Sequence, residues 1–178
     1  MTANHTRILA LLTAILGAAA LRLLPHPPNF SPIAAMALFS GAYLGRRGLA
    51  FVAPLGALLL SDLVLGFYPE AVFVYLSVAA TVLIGNLLSR RRTVLGIGAA
   101  AVAGSLLFFL TTNFGVWLLM NYYPKTLAGL TACYVAAIPF FQNTVAGDLF
   151  FSGLLFSGFA LLERLVPGIR ERRSAVAT

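Results

Sequence analysis

Six apolar runs alternate along the chain with short polar or proline-rich connections. They lie at about 8–24, 32–45, 48–67, 71–88, 94–120 and 128–162. Crossing a hydrocarbon core of about 30 Å takes roughly 20 apolar residues, and all the runs except the short second one come close to that length. The runs lack the period-2 alternation of a membrane β-barrel, so helices are expected. The pattern predicts an all-α integral membrane protein, with residues 1–178 forming one compact bundle of about six transmembrane helices.

Composition supports a bilayer as the solvent. Hydrophobic residues make up 60% of the chain and charged residues only 10%, whereas soluble domains carry about 25% charged residues. The net charge of +7 comes from arginines in the connections between apolar runs and in a basic tail from about residue 164. Since cytoplasmic loops are enriched in Lys and Arg, we expect both termini in the cytoplasm of a bacterium and the protein in its inner membrane. The clusters are Arg46 and Arg47, then Arg90, Arg91 and Arg92, then Arg164, Arg170, Arg172 and Arg173.

These arginines do not indicate a nucleic-acid partner, because they are dispersed among loops instead of forming one basic face with interleaved aromatics.

The first apolar run allows two interpretations. Arg7, the apolar residues 8–17 and the small residues 18–20 resemble a secretory signal with its cleavage site, and cleavage would leave five spans. Ala10, Ala14 and Ala18, however, form a stripe of small residues at i, i+4 and i+8, a pattern that lets membrane helices pack closely. We therefore prefer a retained first helix with a protein-contact face.

Polar side chains gather at the end of the spans that is predicted to face outwards. An ionisable side chain inside hydrocarbon costs at least about 2.5–3.5 kcal/mol, so it must face the bundle interior or a wet cavity. The alternative is that these groups only join neighbouring helices. We predict a binding pocket open to the outside under a stiff, proline-rich loop at 25–32. Its candidate residues are Asn29, Asp62, Asn113, Trp117, Asn143 and Asp148.

The same sequence gives little support to a membrane enzyme. It has no Walker-type phosphate loop, no zinc-ligand cluster and no GxSxG motif, and no cofactor or metal is expected. Asp62 and Asp148 could form an aspartyl dyad sharing one proton, but only Ala146, Gly147 and Asp148 hint at the motif of such enzymes. A self-sufficient carrier or channel, alone or as an oligomer, is the other alternative.

Cys133 and His26 are ambiguous. Cys133 could bind a soft metal such as corrinoid cobalt, although a lone cysteine in an apolar run is usually a small hydrophobic residue. His26 could be a ligand or an ordinary surface residue. The segment 127–138 around Cys133 is expected to lie at the interface or to re-enter, with the last span beginning at about Phe140.

Three sequence phrases, RLLPHPPNFSPIAAMALFSGAYLG, TTNFGVWL and IPFFQNTVAGDLFF, resemble an uncharacterised family of bacterial transport-type proteins. The match extends over about residues 22–163. That family is distantly similar to the substrate-binding S-components of energy-coupling factor (ECF) vitamin transporters, which are small bacterial membrane proteins of six helices.

The resemblance implies a substrate-capture subunit for uptake of a vitamin or vitamin precursor. The micronutrient would bind from outside, and a transmembrane coupling subunit with two ATPases would drive import. S-components dock through an AxxxA motif in the first helix, and Ala10, Ala14 and Ala18 match it by position. The substrate itself stays open.

Overall fold

The computed structural model describes residues 2–45 and 48–170, and within them it has six α-helices and no strand. Arg46, Arg47, Arg172 and Arg173 lie outside the described residues. A short 3₁₀ turn, Pro167–Ile169, follows the last helix. The helices are α1 Thr2–Leu21, α2 Ile33–Leu44, α3 Gly48–Leu65, α4 Ala71–Leu87, α5 Val94–Leu119 and α6 Leu127–Leu165.

Three of these helices, α3, α5 and α6, are long and apolar enough to cross a membrane. The other three are apolar but shorter, with α1 counted from His5. The helical class and the approximate bounds predicted from the apolar runs therefore agree with the structure of the described residues.

The centre of the bundle is the short helix α2. It has 12 residues, all of them buried except Tyr43, and it contacts every other helix. A helix that is apolar on all sides is stable only when neighbours surround it, which is the arrangement seen here. At 1.5 Å per residue α2 is about 18 Å long, so it covers only part of the height of the longer helices around it.

α2 packs most extensively on α4, at a crossing of two glycines. The Cβ of an alanine at Gly41 would overlap the backbone of Val82 and lie 3.0 Å from the Cα of Gly85. At Gly85 it would overlap the carbonyl of Leu38. Small residues at such a crossing let two backbones approach closely, so Gly41 and Gly85 form an internal contact of this fold.

A proline in α3 is accommodated by a side chain of α2. Pro54 has no N–H, so the carbonyl of Ala50 loses its usual partner four residues later in the helix. The Ser40 hydroxyl donates to that carbonyl at 2.8 Å, and all three residues are buried. The polar group freed by the proline is thus satisfied inside the bundle.

Arginines gather at the end of the bundle where α1 begins and α6 finishes, here called the basic end. Arg7 donates to Glu163 at 2.5 Å and to the carbonyl of Ile169 at 2.6 Å, which brings the two ends of the described chain together. Arg92 donates to the carbonyl of Ala42 and stacks 4.1 Å from the ring centre of Tyr43. Cationic side chains therefore hold α1, α2 and α6 together at this end.

Helix α6 corrects one expectation. Residues 127–138 do not form a separate interfacial or re-entrant segment, because they are the first third of a continuous helix of 39 residues that includes Pro139. That helix is about 58 Å long, nearly twice the hydrocarbon thickness of about 30 Å. The carbonyl of Leu110 in α5 accepts a hydrogen bond from Tyr134, so this segment continues as a hairpin with α5.

The alanine stripe of α1 faces the interior of this chain. Ala18 is buried, while Ala10 and Ala14 are half-buried and pack against the core. The stripe is therefore a helix-packing face, as its spacing predicts, but the neighbours seen here are helices of the same chain. Gly17, Leu9 and Leu16 form part of the exposed face of α1.

The glycine crossing gives a direct test. Gly41→Ala should lower the free energy of unfolding by about 1–3 kcal/mol, since the added methyl group has to push the α4 backbone away. Gly98→Ala is the matched control, because an added methyl group there meets nothing within 4 Å. Chemical unfolding in detergent micelles measures both. Equal stability of the two variants would contradict the close approach of α2 and α4.

Candidate functional site

A cavity of about 380 Å³ opens at the end of the bundle opposite the basic end. It lies beyond the first residues of α2, Ile33 and Ala34, where the short central helix leaves the space between its longer neighbours unfilled. Its apolar wall is completed by Val74, Phe108 and Val116. Its polar lining consists of Arg22, His26, Asn29, Ser31, Tyr68, Glu70, Thr112, Asn113, Thr144 and Asp148.

The loop from 22 to 32 covers one side of the cavity and is docked on α6. Asn143 donates from its amide to the carbonyl of Pro28 at 3.0 Å. Gly147 lets the loop approach, since a Cβ there would lie 3.1 Å from the Cα of Phe30. The Phe30 ring also packs on Phe150 and Phe151. The proline-rich loop expected above the pocket is therefore in contact with α6, the helix that carries Asp148.

Asn29 makes the bend in this loop. Its φ of +63° is in the left-handed region, which asparagine tolerates better than most residues. The amide N–H of Phe30 then bonds to the carbonyl of Pro27 at 3.0 Å, and this turn puts Asn29 on the cavity lining.

Asp148 lies deepest among the charged groups of the cavity. Its side chain is on α6, it is only 3% exposed, and one carboxylate oxygen accepts a hydrogen bond of 2.6 Å from Ser105 of α5. Ser105 Oγ also lies 3.0 Å from the carbonyl of Ala101, and its single hydroxyl hydrogen can be donated to only one of these two acceptors at a time. Thr144 lies one helical turn closer to the mouth.

Arg22 forms the opposite wall as part of a buried ion pair. Its Nη1 lies 2.5 Å from Asp62 and 2.5 Å from the hydroxyl of Ser61, and Asp62 is fully buried. The hydroxyl of Tyr75 donates to the other oxygen of Asp62 at 2.9 Å. This cluster ties α3 and α4 to the residue that follows α1. It also neutralises the guanidinium that faces the cavity.

Tyr68 completes this wall between α3 and α4. Burial raises the pKa of its phenol above the usual 10.0, and the negative charge of Asp62 raises it further. Its hydroxyl also bonds to Arg22. The phenol therefore stays protonated at physiological pH.

Two lining atoms have no hydrogen-bond partner among the described residues. They are the hydroxyl oxygen of Ser31 and one carboxylate oxygen of Glu70, and both are buried. A buried polar group without a partner costs about 1–3 kcal/mol, and at a cavity lining a bound molecule can offset that cost with a hydrogen bond. These atoms mark the mouth of the cavity as a place where a bound solute gains hydrogen bonds.

The family model for a family of unknown function, DUF6580, matches residues 2–169, which is nearly the whole chain. The chain belongs to the DUF6580 family. The match includes all six helices and every residue of the cavity lining. No curated protein matches the chain, and no solved structure does.

Of the six candidate binding residues in this DUF6580 chain, three line the cavity: Asn29, Asn113 and Asp148. The other three do not. Asp62 lies behind Arg22, which takes its place on the wall. Asn143 holds the loop through Pro28 instead of facing the cavity.

Trp117 also lies off the cavity, one helical turn beyond Asn113. Its indole N–H donates to the carbonyl of Pro124 at 2.9 Å, and its ring packs on Phe114. Lys125 bonds to the carbonyls of Met120 and Trp117, which fixes the turn between α5 and α6. The Trp117 ring, a candidate pocket residue in the sequence, therefore stabilises a hairpin turn.

Sequence reasoning did not select several residues that line the cavity. Thr112 and Thr144 had a usable signal, because one is adjacent to Asn113 and the other is one turn from Asp148. Arg22, Tyr68 and Glu70 are loop or helix-end residues, and only the folded chain brings them to the same cavity.

Cys133 is buried in α6, its thiol contacts the backbone carbonyl of Asn113, and it is not one of the residues that line the cavity. It is thus placed as a small hydrophobic residue. No group of three or more His, Cys, Asp or Glu side chains able to hold a metal ion occurs in residues 2–45 and 48–170.

The ion-pair cluster behind the cavity can be tested through Tyr75. Tyr75→Phe removes one hydrogen bond to the buried Asp62 carboxylate, and we expect a loss of about 1.5–3 kcal/mol in unfolding free energy. Tyr122→Phe is the control, because that side chain is 71% exposed. Chemical unfolding in micelles compares them. A Tyr75→Phe variant as stable as the control would show that the hydroxyl does not support Asp62.

Proposed function

We propose that this protein is a membrane-embedded substrate-capture subunit that binds a small micronutrient from the extracytoplasmic side. The observation that carries the proposal is the cavity of about 380 Å³ at one end of an otherwise apolar bundle. Small-molecule sites typically measure about 300–1,000 Å³ and combine apolar walls with a few convergent polar groups. Four segments contribute polar groups here: the loop before α2, the loop before α4, and the facing surfaces of α5 and α6.

Membrane insertion is supported by the surface of the helices. Leu, Val, Ile and Phe side chains are exposed along α3, α5 and α6, the three helices long enough to span a bilayer. Soluble monomers rarely expose such continuous apolar surfaces, whereas lipid covers them in a membrane. Arginines lie at the basic end, so we assign that end to the bacterial cytoplasm and the cavity to the outside.

This orientation can be tested with single cysteines in a Cys133→Ala background. Ser89→Cys in the connection between α4 and α5 should stay unlabelled by a membrane-impermeant maleimide in intact spheroplasts. Tyr122→Cys in the connection between α5 and α6 should be labelled, since position 122 is 71% exposed. Both thiols should react after the membrane is permeabilised. Labelling of position 89 but not 122 in intact spheroplasts would reverse the orientation.

The resemblance to ECF S-components supplies the proposed partners. In that arrangement a transmembrane coupling subunit and ATPases drive import, which suits a chain with no phosphate-binding loop of its own. Docking through α1 would have to use the exposed side of the alanine stripe. Ala10 and Ala14 are accessible in part, but Ala18 is buried in the bundle. A coupling subunit would therefore contact the first two alanines and their exposed neighbours.

An aspartyl enzyme is less well supported than capture. One oxygen of Asp62 accepts a hydrogen bond from Arg22, which also donates to Ser61. The other oxygen of Asp62 accepts a hydrogen bond from Tyr75. Asp148 bonds to Ser105. Two carboxyls with separate partners are unlike a dyad that shares one proton.

The capture proposal predicts that Asp148→Asn weakens solute binding at least about tenfold, because one hydrogen bond to a charged group is worth about 1.5–3 kcal/mol. Native mass spectrometry of gently purified protein should detect a vitamin-sized species that the variant loses. Ser157→Ala is the control on the same helix, exposed and far from the cavity. Wild-type protein that carries no such species and binds nothing from a vitamin panel would contradict capture.

A further inference from the structure

The charges of the cavity do not balance. Arg22 is the only Arg or Lys among the described lining residues, and its charge is already matched by Asp62, 2.5 Å away and outside the lining. Two acidic groups remain on the lining, Glu70 and Asp148, and neither forms an ion pair within residues 2–45 and 48–170. The remaining titratable lining groups are Tyr68, which stays protonated, and His26 at the mouth.

The hydrogen-bonding groups near Asp148 show the same bias. Thr112 donates its hydroxyl hydrogen to Phe108 and Thr144 donates to Phe140, each to the backbone carbonyl four residues earlier. Both hydroxyl oxygens can therefore only accept a bond from a solute. The amide of Asn113 uses one of its two N–H donors on the carbonyl of Phe109, at 2.8 Å, and keeps one N–H and its oxygen. This half of the cavity presents acceptors in excess of donors.

We infer that the captured solute carries a positively charged nitrogen with N–H donors, a protonated amine or an amidine, and binds with that nitrogen against Asp148. The inference rests on the proposed solute-capture function and names its substrate class. A buried carboxylate without a cation is costly, and a ligand cation offsets that cost while its N–H groups bond to the acceptors around it. The hydrogen bond from Ser105 to one oxygen of Asp148 holds the carboxyl group in place for this contact.

The mouth of the cavity fits the same class of solute. One oxygen of Glu70 is buried without a hydrogen-bond partner among the described residues. The carboxylates of Glu70 at the mouth and Asp148 at the floor attract cations and repel anions. Cationic solutes should therefore enter the cavity faster than anionic ones. The apolar wall of Ile33, Val74, Phe108 and Val116 leaves room for a hydrophobic body attached to the charged nitrogen.

Charge selectivity can be measured without knowing the natural solute. A thiol introduced by Thr112→Cys, in a Cys133→Ala background, samples the cavity wall with little change in side-chain size. Its reaction rate is compared between the cationic aminoethyl and the anionic sulfonatoethyl methanethiosulfonate reagents. Tyr122→Cys in the same background corrects for intrinsic reactivity, because position 122 is exposed and lies outside the lining.

We expect the ratio of the cationic to the anionic reaction rate to be at least about tenfold higher at position 112 than at position 122. Asp148→Asn and, separately, Glu70→Gln should each reduce that preference, and the two together should abolish it. Glu70→Gln lies at the mouth, so it remains informative if Asp148→Asn folds poorly. Equal rates for the two reagents, or a preference for the anion, would overturn the inference and leave solute capture standing.

Failure of the underlying function has a different signature. If position 112 reacts with neither charged reagent nor with neutral methyl methanethiosulfonate, while position 122 reacts with all three, then the cavity is closed. Solute capture would then fail together with the inference.

The ligand class is tested with three molecules of the same shape: benzamidinium, benzamide and benzoate. Each is used to protect the thiol at position 112 from the neutral reagent. Benzamidinium should protect at a concentration at least about tenfold below benzamide, and Asp148→Asn should remove that advantage. Protection by benzoate equal to that by benzamidinium, or protection by none of the three, would overturn the assignment of a cationic N–H ligand.

Discussion

The cavity depends on the length of one buried helix. α2 is surrounded on all sides and spans only about 18 Å, so it fills the centre of the bundle at the basic end and stops short of the other end. Its neighbours continue past it, and the proline-rich loop before it folds over the gap. The contact between Gly41 and Gly85 fixes how α2 lies against α4. A displacement of α2 there would move Ile33 and Ala34, which line the floor of the cavity.

Several buried polar groups elsewhere in the bundle have partners inside the fold, and they provide a comparison for the groups around the cavity. Ser40 satisfies the carbonyl freed by Pro54, and Arg22 matches the buried Asp62. An unpaired polar group buried in apolar surroundings would cost free energy, so these pairings stabilise the fold. Glu70 and Asp148 are different because they face a cavity and no cation of the described chain pairs with them. The distinction between structural and site carboxylates therefore comes from their partners.

The apolar runs were sufficient to predict six helices, because helix length and composition are local properties. The depth of Asn113 and Asp148 was also predictable from their distance along a span. Which residue faces which neighbour was not, because a helix can rotate about its axis without any change in its apolar pattern. For that reason Asp62 and Asp148 looked equivalent in the sequence, although one lies behind Arg22 and the other faces the cavity.

Trp117 illustrates the same limit: its position along α5 was estimated well, but the bond to Pro124 depends on how the following turn folds. The continuity of α6 through Pro139 was missed for a related reason, since a proline usually ends or kinks a helix unless tertiary contacts hold both halves.

The two ends of the bundle have opposite electrostatic character, and this matters for a cationic solute. Arg7 and Arg92 lie at the basic end, whereas unpaired acidic groups line the cavity at the other. If the cavity faces outwards, as proposed, a cation is attracted to the site and is kept from the cytoplasmic end by the arginines there. A membrane potential that is negative inside favours inward movement of one positive charge by about 2.3 kcal/mol per 100 mV. Capture outside and release inside then require a change that exposes Asp148 to the cytoplasm or replaces its cation with a proton, and the bond from Ser105 can support either state of that carboxyl.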